Sequence, residues 1–132
     1  MRCCISVVAL ALVACAQGAP KAEEPYWGKQ PCAHCSMLVS EPRPSAQALL
    51  ENGQRRYFDD LGCLVAWEAR ESPKLKARWV RTPRDDGWVA PEATHFSAGN
   101  ATPMDFGFLS ADEGLGFDEV RAAVLARTRR PR

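Results

Sequence analysis

Apolar positions fall into short, separated groups whose spacings predict a small α+β fold. Residues 5–13 are nearly all apolar, too few to cross a bilayer. Met37-Leu38-Val39 predicts a short strand, stopped by Glu41-Pro42-Arg43-Pro44. Residues 46–51 and 54–58 flank Asn52-Gly53, the preferred pair for a two-residue hairpin turn, because both positions need positive φ. Leu61, Leu64 and Val65 lie on adjacent helical rows and predict a helix over 61–71. Asp59 or Asp60 caps it and Ser72-Pro73 ends it. Leu75, Ala77 and Trp79 alternate with Lys74, Lys76 and Arg78, a half-buried strand. Beyond Gly87, strands are predicted over 88–90, 93–98 and 105–109, with a turn at Gly99-Asn100. Phe117, Val120, Val124 and Leu125 predict a last helix over 117–128. The order is β-β-α-β, then β-β-α, which leaves the second unit truncated.

The first apolar group belongs to export. Arg2 precedes it, and it ends in Leu12-Val13-Ala14-Cys15. This resembles the lipobox of bacterial lipoproteins, which implies cleavage after Ala14 and a lipid on Cys15. Ala16, not Asp, follows the cysteine, so the expected location is the periplasm, anchored to the outer rather than the inner membrane. Residues 1–14 are then a lipoprotein signal peptide. Residues 15–31, with Gly18, Pro20, Pro25, Gly28 and Pro31, read as a flexible lipid-anchored tether. Residues 32–128 are expected to form the folded domain, and 129–132 a basic tail.

Composition narrows the function. The chain has 132 residues, enough for one domain. With 46% hydrophobic and 25% charged residues, it is not a disordered chain. A net charge of +1 gives no case for binding nucleic acid. No Ser-His-Asp set or Gly-rich phosphate loop is present, and a non-enzyme is expected. Of six cysteines, Cys3 and Cys4 leave with the signal and Cys15 takes the lipid. Cys32, Cys35 and Cys63 remain, an odd number that cannot all pair within one chain.

The remaining thiols form part of a soft donor set: Cys32, Cys35, Met37, Cys63 and Met104, with His34 inside the Cys32-x-x-Cys35 knuckle. In an extended segment Cys35 and Met37 share one face. Cys63, in the first turn of the predicted helix, is expected to have a lowered pKa. Thiolate and thioether together select Cu(I). Each member also has a plainer reading. Cys32 and Cys35 could form a structural disulfide, Cys63, Met37 and Met104 could be core, and His34 could be merely exposed.

Cys32-x-x-Cys35-x-Met37, then Tyr57-Phe58-Asp59-Asp60-Leu61-Gly62-Cys63, Trp67, and Thr102-Pro103-Met104 resemble the NosL family over residues 30–125. NosL proteins are copper-binding lipoprotein accessories of nitrous oxide reductase maturation. The resemblance implies two small ββαβ-type units packed together and Cu(I) handling in the periplasm. The partner it implies is a client copper enzyme like nitrous oxide reductase, or its ABC-transporter assembly machinery. Ser36 stands where the family usually has Gly before the motif methionine, and Asp105 where it usually has Gly after the later one.

A copper metallochaperone is thus the leading expectation. One rival is a thiol–disulfide oxidoreductase using Cys32 and Cys35. Against it, a Pro-rich stretch precedes Cys32, where that chemistry places a strand leading into a helix. The other is a structural zinc knuckle built from Cys32, Cys35, Cys63 and a histidine. A c-type haem is disfavoured because Ser36, not His, follows Cys35.

Overall fold

The computed structural model describes residues 18–129. Residues 1–17, with the expected signal peptide and Cys15, and residues 130–132 lie outside the described residues. Strand β1 (Ala46–Leu50) pairs antiparallel with β2 (Arg55–Phe58), Ala46 facing Phe58 and Leu49 facing Arg55. Leu50 N donates to Gln54 O at 2.9 Å, so the turn proper holds the three residues 51–53, not the expected two. Only Gly53 takes positive φ (+85), its N–H bonding Leu50 O at 3.0 Å, while the Asn52 side chain accepts from Gln54 N. A type I turn followed by a left-handed glycine closes a hairpin of this length.

Helix α1 (Leu61–Glu71) begins at Asp60, whose carboxylate accepts from Gly62 N at 2.9 Å, and ends at Ser72 in the left-handed region. Its buried surface runs continuously from Leu61 to Glu68, wider than the Leu61/Leu64/Val65 stripe read from the sequence. Strand β3 (Leu75–Arg81) pairs with β1, and the short β4 (Trp88–Val89) pairs with β3. The sheet order is β2-β1-β3-β4. A separate two-stranded sheet joins β5 (His95–Ser97) and β6 (Leu109–Ala111), followed by α2 (Phe117–Thr128).

The fold is therefore α+β: one ββαβ unit, a short edge strand, and a second unit of β-β-α order. Two predicted strands change. Residues 91–93 form a 3-10 turn, which shortens the strand expected over 93–98. Residues 105–108 are irregular and only Leu109 joins β6, because Asp105 and Gly107 take φ of +57 and +81, which a strand cannot hold. The segment 37–39 contributes only a bridge from Leu38 to Pro31.

Cross-strand register places Ala46, Phe58 and Val80 on one face, where they meet Leu64, Val65, Val120 and Val124 in a shared core. The opposite face carries Gln47, Tyr57 and Trp79, and here the tether reading is corrected over the described residues. Residues 20–31 lie against the sheet as a strap. Glu23 exchanges two backbone hydrogen bonds with the buried Gln47 side chain, at 3.0 and 2.9 Å, and its carboxylate meets Arg55. Glu24 bonds both Arg81 and the Trp88 indole, at 2.8 and 2.7 Å. Pro25 is buried. The prolines suppress helix and strand, but the polar groups between them find partners far along the chain.

Candidate metal centre

The strap leads directly into the knuckle. Pro31 bridges Leu38, and Cys32 N donates to Met37 O at 2.7 Å, closing a turn that contains Cys35. Ala33 N donates to Tyr57 O at 2.9 Å and ties the knuckle to the end of β2. Ser36 completes the turn with φ of +66. It occupies a left-handed position that glycine takes without steric cost. Asp105, at +57, takes the same left-handed geometry in the Met104 loop.

At the knuckle the chain brings Cys32, Cys35 and Cys63 together with Asp59, one ligand atom from each, all within 4.8 Å of one another. Cys32 and Cys63 are buried, Cys35 is half-buried and Asp59 is buried. All three thiols are free. The Cys35 thiol donates to the Asp59 carboxylate at 3.3 and 3.4 Å. Cys63 arrives from the first turn of α1, and Asp59 from the junction between β2 and that helix.

The cluster is electrostatically uneven. A hydrogen bond from the Cys63 side chain pulls the Cys32 pKa down to about 6, against the opposing effect of burial. Burial pushes Cys35 up to about 12. Cys63 is also raised, because its proton is held in the bond to Cys32 and because it is buried. The expectation that the helix start would favour a Cys63 thiolate is thus corrected. The thiolate belongs to Cys32, and Cys63 is its donor.

The other predicted donors differ from this set in setting. His34 is not among the converging groups; its Nδ1 lies 3.2 Å from an Arg70 guanidinium nitrogen, and burial, then Arg70, lowers its pKa. Met37 is 50% exposed and Met104 37% exposed. The left-handed Ser36 removes the extended geometry assumed for the Cys35/Met37 pair. Asp59 was missed as a site residue. Its position four residues before Cys63, beside a second aspartate, was the available signal, but it was read only as a cap. A single carboxylate among three thiols suits a borderline or soft cation, and three sulfurs alone satisfy Cu(I).

The fold and this cluster define a small α+β protein with a cysteine-rich potential metal site. Among solved structures, the chain is similar to the crystal structure of the copper chaperone NosL from Shewanella denitrificans, with a TM-score of 0.62. The two share 16% identity, and the match covers 81% of this chain and 88% of that one. The fold is NosL-like. Comparison of the sequence with family models and with curated proteins gives no match.

Proposed function

We propose that the protein is a copper chaperone that binds Cu(I) as cargo and passes it on without catalysis. The observation that carries this reading is the convergence of Cys32, Cys35, Cys63 and Asp59 within 4.8 Å. Three thiolates match the soft, low-coordinate preference of Cu(I). The half-buried Cys35 faces the way out, while Cys32 and Cys63 are closed off. Exchange with an acceptor would start at Cys35, with the exposed Met37 and Met104 thioethers as candidate relay donors. The fold likeness to a copper chaperone supports the same cargo. The lipobox supports a periplasmic protein held by lipid at Cys15 to the outer rather than the inner membrane. The sequence resemblance favours nitrous oxide reductase, or the ABC-transporter machinery that assembles it, as the client.

Asp59 favours a second reading. Three cysteines and a carboxylate also make a four-donor set for Zn²⁺, with Asp59 where a zinc knuckle was expected to use a histidine. Anaerobic titration of the reduced, signal-free protein with Cu(I) against a competing chelator, with Zn²⁺ present, separates the two. The expected result is about one Cu(I) per chain, Zn²⁺ displaced, and affinity lowered by orders of magnitude in Cys35→Ser, because a hydroxyl is a hard donor. Stoichiometric zinc that Cu(I) does not displace, or an unchanged affinity in Cys35→Ser, overturns the copper reading.

A further inference from the structure

An open groove of about 730 Å³ runs between α1, α2 and the loop over 102–107. Its floor is apolar, with Ala66 and Ala69 from α1, Phe106 from the loop and Leu125 from α2. Ala69 is exposed, and Phe106 and Leu125 are half-buried. The groove holds none of the four clustered residues but adjoins them twice. His34, between Cys32 and Cys35 in the chain, lines it, and Ala66 follows Cys63 by one helical turn. The rim is basic: Arg70, Arg127 and Arg129 line it against one carboxylate, Asp105. Arg70 donates from Nη1 to His34 Nδ1 at 3.2 Å and from Nε to Glu71 at 2.7 Å. Arg127 donates from Nη1 to Asp105 O and Phe106 O, at 3.2 and 2.7 Å, and lies over the Phe108 ring. Both guanidinium groups are thus held in place while these bonds leave Nη2 unused. Among the described residues, no carboxylate lies within ion-pair distance of Arg127 or Arg129. Arg130 and Arg132 follow in the sequence with the same sign. The loop wall is fixed as well. The buried Asp60 carboxylate accepts from the Thr102 hydroxyl at 2.6 Å and from Met104 N at 3.1 Å. Phe106 seats on Gly62 so closely that a methyl group there would overlap its ring.

We propose that this groove is where the copper acceptor docks, and that it takes an acidic amphipathic helix of that protein. This rests on the copper reading above. Apolar side chains along one face of such a helix fit the floor, where two alanines leave room for them, and carboxylates on its flanks meet the arginines. Guanidinium groups already held in position lose little freedom on binding. Opposite charge also speeds the encounter. A helix seated here lies against His34, which brings the partner to the knuckle and its half-buried Cys35. An anionic membrane would meet the arginines but not the floor, which is recessed between two helices.

The probe is a synthetic helical peptide with leucines at i, i+3 and i+4 and glutamates on both flanks. Its control carries lysine in place of each glutamate. Binding to the reduced, metal-free chain is followed by NMR titration. The acidic peptide is expected to bind and to shift the amides of Ala69, Phe106 and Leu125, and the lysine peptide is not. Arg70→Gln and Arg129→Gln should each weaken binding about threefold, the scale of an exposed ion pair. Ala69→Glu sets a carboxylate on the floor at an exposed position, and should weaken it about tenfold or more. Salt should weaken binding too, because it screens exposed charges. A second measurement reads transfer. The acidic peptide extended by a Cys-x-x-Cys segment should take Cu(I) from the loaded chain at least about tenfold faster than that segment alone, because docking raises its effective concentration. Ala69→Glu should erase this advantage while Cu(I) affinity, read by chelator competition, stays within about twofold, since no thiol is touched. No binding of the acidic peptide, equal binding of both peptides, or equal transfer rates overturns the proposal. Binding to phosphatidylglycerol vesicles without binding to the peptide overturns it in favour of a membrane. A wild-type chain that binds no Cu(I) overturns the chaperone reading instead, and the peptide titration, made without metal, still decides the groove.

Discussion

Asp59 shows how one side chain sets the chemistry around it. Buried against the knuckle, it accepts a hydrogen bond from the Cys35 thiol and lies within reach of any ion the sulfurs would hold. Asp59→Asn keeps its size and removes its charge. Partners of metal ligands of this kind commonly matter by about 10–100-fold, and Cu(I) affinity should fall by that amount with the circular dichroism spectrum unchanged. An affinity equal to wild type would show the carboxylate to be a bystander. The thiols also dictate a pH profile. Cys32 titrates near 6 in the fold, well below the ordinary thiol value of 9.0. Between these values the unfolded chain holds a proton that the native one has lost, so stability rises with pH. Above about 9 the sign reverses, because Cys35 and Cys63 keep protons that the unfolded chain sheds. Urea midpoints of the metal-free, reduced protein should therefore rise and then fall across this range. In Cys63→Ala the rising limb should flatten, because Cys32 has lost its donor; an identical limb in the variant would refute the assignment of the thiolate.

At the scale of elements, legibility followed locality. The hairpin, α1, β3 and α2 were readable because each is announced by its own residues: a turn pair, a capping aspartate, an alternation, a helical stripe. The loop over 102–107 was not. Its shape depends on Asp60, and no periodicity in Thr102-Pro103-Met104-Asp105 reports a partner forty residues back. Asp59 was hidden for a related reason, since two adjacent aspartates before a helix compete for the role of cap, and only the fold shows that Asp60 takes it. The left-handed turns invite a direct test. A left-handed residue with a Cβ costs about 1–2 kcal/mol, partly offset by glycine's greater freedom when unfolded. Ser36→Gly should stabilise the protein by about 0.5–1 kcal/mol in chemical denaturation. Asp105→Gly should gain less, because aspartate tolerates this conformation better. A loss of stability at Ser36 would mean that its backbone is not held there in solution.

The whole molecule is three layers deep: strap, sheet, and helices. The strap reverses the expectation drawn from its prolines, because Glu23 and Glu24 pair with Arg55 and Arg81, and Gln47 is buried only by virtue of the strap backbone. Removing residues 18–27 should uncover Trp79 and Gln47 and lower the melting temperature by about 5 °C or more, as follows from a loss of at least 1 kcal/mol in a domain of this size. A truncated chain that melts with the full one would restore the tether. Across the sheet, Glu68 binds Arg78 and Arg121 together, joining β3 and both helices through one buried carboxylate. This junction is where the buried surface of α1 ends, at Glu68.

The donor set is drawn from the knuckle at 32–35 and the helix start at 59–63, with the loop at 102–106 clamped beside it. Such a set exists only after folding has closed those intervals. A metal held by this set would therefore favour the native state, by up to about 4 kcal/mol at a thousandfold excess over its dissociation constant. Empty molecules open more often than laden ones, and proteases act on what opens. Turnover would then be selective, sparing chains that carry metal.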